Sequence, residues 1–194
     1  MSGIDGTREV LHQKSPNYDA RPAGVGIDLL VIHSISLPPG QFGGLFIANL
    51  FSNCLDYDAD PYFVHLGPSR VSAHFLIRRD GRVMQFVSTN DRAWHAGASS
   101  FGERQCCNDF SIGIELEGTD FVPFELPQYD TLCAMTAALQ LRYGLVAVCG
   151  HVHIAPGRKT DPGPFFEWHK YQQSFATHCS QLLISYPLHF PCKD

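Results

Sequence analysis

The stretch "FSIGIELEG", residues 110–118, alternates aliphatic residues with glycine and glutamate. This period of two is typical of a β-strand, in which successive side chains point to opposite faces. The aliphatic face consists of Ile112, Ile114 and Leu116, and the other face of Gly113, Glu115 and Glu117. A carboxylate on a central strand is costly to bury unless a cation or hydrogen bonds satisfy it. We therefore interpret Glu117 as part of a salt bridge at the strand end and Glu115 as a catalytic residue.

Strands and helices are mixed along the rest of the chain. Apolar runs and a hairpin pattern predict strands at 29–33 ("LLVIH"), 73–77, 83–87 and 145–151 ("LVAVCGH"). The dipeptide Asp80-Gly81 supplies the hairpin turn. Helical patterns predict helices at 45–51, 127–143 and 163–184, with Gly144 just after the second. This order predicts an α/β fold in which helices flank a mixed sheet.

Composition places the chain among ordinary globular proteins, with 194 residues, 44% of them hydrophobic and 17% charged. We expect a single domain over 1–194 with its core at about 15–185, because we find no internal repeat or low-complexity linker. The formal net charge of −5 argues against a nucleic-acid-binding surface and a polybasic membrane patch. The sequence also lacks a secretory signal and the ~18 consecutive apolar residues of a membrane span.

The seven cysteines are an odd number and include no C-x-x-C pair. This pattern indicates reduced thiols rather than disulfides or a zinc finger, and we expect a cytoplasmic protein. The alternative is that the adjacent Cys106 and Cys107 form a redox-active pair.

Two histidines and one aspartate form a candidate metal site. His33 and His151 each end a predicted strand, and Asp161 follows ten residues after the second histidine. Strand ends bring side chains to one edge of a sheet, where sites tend to form. Two imidazoles and one carboxylate leave the fourth position of a tetrahedral zinc ion open, as in catalytic zinc sites. The chain has ten histidines, so the alternative is that each of these is an ordinary core or surface residue.

Two further charged residues favour catalysis at this site. Glu115 is suited to act as a general base on a water at the metal. Lys159 lies two residues before Asp161 in a turn rich in proline and glycine, where it would stabilise the oxyanion of an attacked amide. A solvated loop lysine is the alternative for Lys159. His153 is the alternative to His151 as a ligand, since extended backbone would place both side chains on the same side.

Six segments, in order between residues 15 and 164, closely resemble the zinc-dependent N-acetylmuramoyl-L-alanine amidases. They are "SPNYDARP", "VIHSISLPPGQFGG", "VSAHFLIRRDG", "AWHAG", "RQCCNDFSIGIELEGTD" and "GHVHIAPGRKTDPGP". More narrowly, the chain is similar to the cytosolic 1,6-anhydro-N-acetylmuramyl-L-alanine amidases of the AmpD type. The resemblance implies the mixed-sheet fold of T7-type lysozyme amidases and peptidoglycan-recognition proteins. It also implies hydrolysis of the amide between N-acetylmuramic acid and L-alanine of muropeptides in peptidoglycan recycling.

Carried over position by position, the resemblance implies one Zn²⁺ per chain, with His33, His151 and Asp161 as ligands and Glu115 and Lys159 as catalytic residues. Two positions depart from the family pattern. Ser34 stands where an asparagine is common after the first ligand, and His153 stands where aspartate is common. We therefore expect Ser34 to contact substrate, with a hydrogen-bonding capacity that differs from that of asparagine.

Other substrate-binding residues are assigned from their chemistry. Trp94 and His95 of "AWHAG" would line the cleft, with core packing as the alternative. Arg70 and Arg104 would bind carboxylates of an acidic stem peptide, with solvated loop arginines as the alternative. Ala155 would line the same cleft, with a purely structural role as the alternative.

Two rival functions stay open at this level. A non-catalytic peptidoglycan-binding or muropeptide-binding module would bind without turnover. A thiol hydrolase would pair a cysteine with His95 or His74, although His74 also suits a supporting or core role. The expected partner is a small-molecule muropeptide, with neither nucleic acid nor membrane. A monomer is compatible with the sequence, which leaves the oligomeric state undefined.

Overall fold

The computed structural model describes residues 10–182 and 188–191. Within them the strands are β1 (Val10–His12), β2 (Tyr18–Ala20), β3 (Leu29–Ile35), β4 (Phe75–Ile77), β5 (Val83–Gln85), β6 (Asp91–Ala93), β7 (Ser100–Phe101), β8 (Arg104–Gln105), β9 (Ser111–Glu117) and β10 (Ala147–Gly150). The α-helices are α1 (Phe46–Phe51), α2 (Leu126–Tyr143), α3 (His151–Ile154) and α4 (Trp168–Leu182), and 3-10 helices cover Pro61–Leu66 and Cys107–Asp109. In this part of the chain, no helix is both long and apolar enough to cross a bilayer.

A six-stranded mixed sheet forms the centre of the fold, in the order β1-β5-β4-β9-β3-β10. The four strands β4, β9, β3 and β10 are parallel, β5 is antiparallel to β4, and β1 pairs in parallel with β5. The predicted α/β class with a mixed sheet is confirmed. Because β3, β9 and β10 are parallel neighbours, their carboxyl ends meet at one edge of the sheet.

The alternation in β9 gives the sheet one helix-covered face and one face that carries the polar residues. Its aliphatic residues are buried in a core cluster that includes Leu132 of α2 and Tyr171 of α4. Leu30 and Ile32 of β3 belong to the same cluster, so His33, one position further on, points to the opposite face. The candidate site therefore lies on the face away from the two long helices.

Helix α2 confirms the prediction for 127–143 to within one residue. It begins at Leu126, so Pro127 lies in the first turn, where a missing N–H breaks no helical hydrogen bond. The N–H of Glu125 donates to Gln128 Oε1 (3.0 Å), which satisfies a donor at the helix start. Gly144 ends the helix in the left-handed conformation, with φ of 64°.

Several predicted element boundaries are wrong, and β3, for example, continues past His33 to Ile35. The hairpin strands are shorter than 73–77 and 83–87: the N–H of Phe86 still donates to the carbonyl of His74 (2.9 Å), but both residues lie outside the regular ladder. Helix α4 begins at Trp168 rather than at 163, because Gly163, with φ of 87°, lies in a turn before it. Residues 183–184 of that predicted helix lie outside the described residues.

Residues 188–191 run along the outer edge of β10. The carbonyl of His189 accepts from the N–H of Val148 (2.8 Å), and the N–H of His189 donates to the carbonyl of Val146 (3.0 Å). The ring of Phe190 packs against Tyr171 and Phe175 of α4. This segment thus extends the hydrogen bonding of the sheet beyond β10 and is held by apolar contacts.

Candidate metal centre

The register of three parallel strands brings the candidate residues to one edge of the sheet. His33 on β3 is the direct cross-strand partner of Glu115 on β9. On the other side of β3, Gly150 at the end of β10 pairs with Ile32. His151, the residue after Gly150, therefore emerges beside His33.

His151 does not end the strand as predicted but begins the short helix α3. In a helix, residues two apart point in different directions, so His151 and His153 cannot share one side as they would in a strand. His153 instead turns back, and its Nδ1 accepts a hydrogen bond from the N–H of Gly150 (2.8 Å) while its ring packs against Trp168. The structure brings His151, and not His153, to the candidate metal site.

His33, His151 and Asp161 converge on one point. The Nδ1 atom of His33 lies 3.1 Å from Nδ1 of His151 and 2.9 Å from Oδ2 of Asp161, and the third side of the triangle measures 3.1 Å. A tetrahedral zinc ion with bonds of ~2.0–2.1 Å needs ligand atoms about 3.3–3.4 Å apart. The ligand types and their spacing therefore fit zinc with small adjustments.

The ionisation of the three residues also suits a metal ion. Burial lowers the pKa of His33, against the opposing effect of Asp161, so the ring is held neutral. Burial raises the pKa of Asp161, but the adjacent rings of His151 and His33 outweigh burial and lower it far below its ordinary value. The site thus offers a neutral imidazole and an ionised carboxylate, the forms that ligate zinc.

Glu115 is buried beside this triangle without a partner for one of its oxygens. Among the residues that the structure describes, no atom hydrogen-bonds to its Oε2. Burial raises the pKa of Glu115 well above its ordinary value, and Asp161 adds to this effect while Lys159 opposes it. An unsatisfied buried carboxyl group next to three ligand atoms fits a site completed by a bound ion and a polar reactant.

Glu117 has the opposite environment. Its carboxylate accepts from Arg78 Nη1 (2.9 Å) and from the backbone N–H groups of Gly43 (2.6 Å) and Arg79 (3.2 Å). The predicted salt bridge at the end of β9 is confirmed.

An open cleft of about 230 Å³ lies over the triangle and Glu115. Lys159 lines it, and its backbone N–H donates to the carbonyl of Ala155 (3.1 Å), which ties the loop to the end of α3. Ser34 and the half-buried Trp94 also line the cleft. The structure therefore brings Ser34, Trp94 and Lys159 together with the ligand triangle.

The other predicted substrate-binding residues differ in position. The mostly buried ring of His95 also lines the cleft, and its Nδ1 lies 2.9 Å from Nε2 of His33. Ala155 is buried and supports the loop of Lys159 through its carbonyl. Arg70 is exposed and precedes Val71, which lines the cleft.

Arg104 does not join the site. Its guanidinium binds both carboxylate oxygens of Asp28 (2.8 and 3.0 Å) and stacks on the ring of Phe110. Asp28 precedes β3, so at ~3.3 Å per residue it lies about 16 Å from His33, at the other edge of the sheet. The prediction of Arg104 as a substrate-binding residue is wrong because a partner from this chain already satisfies the guanidinium.

Sequence reasoning missed residues of a second, larger groove that adjoins the cleft. This groove of about 590 Å³ shares Ser34, Lys159 and Asp161 with the cleft and is also lined by Tyr62, Asp120 and Phe121. Phe121 is 83% exposed, which is unusual for a large aromatic side chain. These residues lie outside regular elements or in a 3-10 turn, where no periodic pattern marks them.

Two buried cysteines are unsuited to thiol chemistry. Burial raises the pKa of Cys133 to about 12 and raises that of Cys149, which disfavours a thiolate. The ring of His74 accepts from the N–H of Gly113 and contacts the carbonyl of Asp91, and the ring of His95 contacts His33 and Ser111. Both histidines proposed for a thiol hydrolase are therefore bound to other groups.

Fold and site together define a hydrolase with a three-ligand candidate metal centre at the carboxyl edge of a mixed sheet. The N-acetylmuramoyl-L-alanine amidase family matches residues 23–164, and the chain belongs to this family. It is 54% identical over 160 residues to the 1,6-anhydro-N-acetylmuramyl-L-alanine amidase AmpD of Citrobacter freundii, which covers 81% of this chain and 86% of the relative.

Solved structures agree with this assignment. The crystal structure of a selenomethionine derivative of AmpD superposes with a TM-score of 0.82 at 50% identity, covering 87% of this chain and 95% of that chain. The complex of the N-acetylmuramyl-L-alanine amidase AmiD from Escherichia coli with anhydro-N-acetylmuramic acid-L-Ala-D-gamma-Glu-L-Lys superposes with a TM-score of 0.58 at 28% identity. That match covers 89% of this chain and 70% of that chain.

Proposed function

We propose that this protein hydrolyses the amide bond between 1,6-anhydro-N-acetylmuramic acid and L-alanine of muropeptides, with one zinc ion per chain held by His33, His151 and Asp161. The observation that carries the proposal is the triangle of ligand atoms beside Oε2 of Glu115, which has no hydrogen-bond partner among the described residues. The names of the AmpD relatives and the substrate bound to AmiD support the choice of amide.

Bound zinc would polarise the amide carbonyl and make an attacking water more acidic. Glu115 takes a proton from that water and returns it to the leaving nitrogen of L-alanine. Burial suits Glu115 to both steps, because a carboxyl group with a raised pKa is a stronger base and holds a proton for the leaving amine. The ammonium group of Lys159, which also lines the cleft, stabilises the negative charge that develops on the carbonyl oxygen.

The cleft and the adjoining groove offer room for both parts of a muropeptide. The indole of Trp94 provides an apolar wall for the sugar, and Ser34 provides a short polar contact near His33. Arg70, which is exposed and directly precedes Val71, would bind carboxylates of the stem peptide. The stem peptide extends along the groove past Phe121.

We place this reaction in the cytoplasm, on small wall fragments that are being recycled. The six cysteines within the described residues are free thiols, as expected in a reducing compartment. The substrate is then a soluble fragment rather than the intact wall.

The experiment combines metal analysis with mass spectrometry of reaction products. The purified protein should contain zinc and release free stem peptide from anhydro-muropeptides, with activity lost on chelation and restored by zinc. Asp161→Ala should lose most of the zinc, whereas Glu115→Gln should keep it and lose about 10²–10⁴-fold in turnover. Full activity of Glu115→Gln would reject the assigned base, and muropeptide binding without products would indicate a binding module.

A further inference from the structure

A chain of hydrogen bonds leads from the backbone through two histidines to the metal site. The hydroxyl of Ser111 lies 2.6 Å from the carbonyl of Cys107, and only the hydroxyl can supply the proton in that contact. The oxygen of Ser111 is therefore an acceptor for Nε2–H of His95 (3.2 Å). A neutral imidazole has one donor and one acceptor, so Nδ1 of His95 accepts from Nε2–H of His33 (2.9 Å).

The next residue fixes the second ligand histidine in the same way. The carbonyl of Ala96 lies 3.1 Å from Nε2 of His151, and a carbonyl can only accept. His151 therefore carries its proton on Nε2, as His33 does. Each ring then presents a bare Nδ1 to Oδ2 of Asp161, which makes three acceptors within 3.1 Å of one another. Such a group of acceptors is stable only around a cation.

The backbone around His95 is itself held in place. A single side-chain atom, Oδ1 of Asn108, accepts from the N–H groups of both His95 (3.2 Å) and Ala96 (2.8 Å). Nη2 of Arg158 donates to the carbonyl of Ala96 (3.2 Å). Gly113 of β9 leaves room for the imidazole, because a Cβ at this position would lie 2.5 Å from the His95 ring.

We infer that the dipeptide His95-Ala96 is a positioning element that sets the protonated nitrogen of both histidine ligands and thereby directs both Nδ1 atoms at the metal. Ligand histidines usually donate their other N–H to a carboxylate, a carbonyl or water. Here one of them donates to a second neutral imidazole, whose own proton position is set by Ser111. This inference rests on the proposed zinc site but not on the identity of the substrate.

The first test compares two substitutions of His95. Asparagine places an oxygen near the position of Nδ1 and can still accept from His33, whereas leucine has a similar volume but no acceptor. His95→Leu should raise the zinc dissociation constant about 10–100-fold, the usual effect of losing such a partner. His95→Asn should stay within about threefold of the wild type, when both are measured by competition with a chromophoric chelator.

A second test reads the proton positions directly. Nitrogen NMR of the zinc-loaded wild type should show protons on Nε2 of His33 and His151. Ser111→Ala, which removes the fixed acceptor of His95 without touching a ligand, should weaken zinc binding at least threefold and populate the other tautomer of His95. A role in packing alone would leave the tautomers unchanged.

The control is His74→Gln, because His74 is as buried as His95 and packs against its ring without contacting a ligand. It should lower thermal stability but leave the zinc dissociation constant within about threefold. Equal zinc affinity in His95→Leu and wild type, or equal loss in His74→Gln, would overturn the inference. A wild-type protein that binds no zinc would instead reject the proposed function.

Discussion

Glu115 and Glu117 lie two residues apart on the same face of β9, yet their hydrogen bonding differs within the described part of the chain. Glu117 accepts from Arg78 and two backbone N–H groups, so its charge is stabilised where it is buried. Glu115 has an oxygen without a partner among the described residues, so its charge destabilises the metal-free fold. A destabilising buried charge close to a well-stabilised one is typical of an active site, where catalysis requires a group that lowers the stability of the fold.

We predict that the same substitution has opposite effects at these two positions. Glu115→Gln should raise the free energy of unfolding of the metal-free protein by about 1–3 kcal/mol, because a neutral amide replaces an uncompensated carboxylate. Glu117→Gln should lower it by about 1.5–3 kcal/mol, because charge-assisted hydrogen bonds are weakened. Urea unfolding at pH 7 in the presence of a chelator measures both, and destabilisation by Glu115→Gln would contradict the interpretation.

At this scale, the sequence could identify the residue types but not all of their partners. Alternation placed Glu115 and Glu117 on one face, and the strand ends placed His33 and His151 near each other. The pairing of Arg104 with Asp28 joins residues 76 positions apart, so no local pattern reveals it. His95 lines the cleft, but nothing in "AWHAG" shows that its imidazole also contacts Nε2 of His33.

The junction between β10 and α3 determines the positions of two candidate metal ligands, His151 and Asp161. Gly150 has extended backbone, with φ of −90° and ψ of 163°, and His151 begins the helix directly after it. A Cβ at Gly150 would lie 2.6 Å from Cδ of Pro162, the residue after Asp161. The absence of a side chain at this position therefore lets the loop of Asp161 close onto the strand end.

We predict that Gly150→Ala separates Asp161 from the two histidines. The added methyl group should cost about 1–3 kcal/mol in the free energy of unfolding through overpacking. It should also weaken zinc binding about tenfold, because the ligand loop is pushed outward. The matched control is Gly26→Ala, since a Cβ there has no described atom within 4 Å, and it should change stability by less than about 0.5 kcal/mol. Equal behaviour of the two variants would contradict the prediction.

Element boundaries were predictable only where local chemistry marks them. Pro127 and Gly144 bracket α2, and the prediction there is accurate. The run "LVAVCGH" carries no comparable signal, because the apolar pattern fits a strand and the backbone of Gly150 is compatible with either continuation. The start of α4 was also missed, since aromatic residues 165–168 suit a helix but follow a turn at Gly163.

On the scale of the whole molecule, buried neutral histidines make stability depend on acidity. Burial, assisted by Arg21, lowers the pKa of His74 to about 3, against the hydrogen bond to Asp91. In the unfolded chain, His74 therefore binds a proton below pH ~6.5, whereas in the folded protein it binds one only below about pH 3. Stability is thus lost as the pH falls through this window.

We predict that His74→Gln makes the protein less sensitive to acid even if it is less stable at pH 7. Between pH 6 and pH 4, His74 should contribute a slope of about 1.4 kcal/mol per pH unit to the free energy of unfolding. The other buried histidines stay in both proteins, so the difference between the two slopes isolates His74. Identical slopes in urea titrations of wild type and variant would contradict the assigned ionisation.

The overall architecture was the most predictable level, because one alternating strand, the apolar runs, the hairpin pattern and one well-bracketed helix already predict a mixed sheet flanked by helices. The adjoining groove was not predictable, because Asp120 and Phe121 lie in irregular backbone whose course depends on the packed molecule.

Residues 188–191 also affect how the protein can be handled. By pairing with Val146 and Val148, His189 occupies backbone groups that would otherwise offer a template for a strand from another molecule. Removing this segment would expose an unpaired sheet edge that can pair with another molecule. A purification tag fused close to the segment would disturb its hydrogen bonds to the sheet. Such tags are best attached through a long, polar spacer.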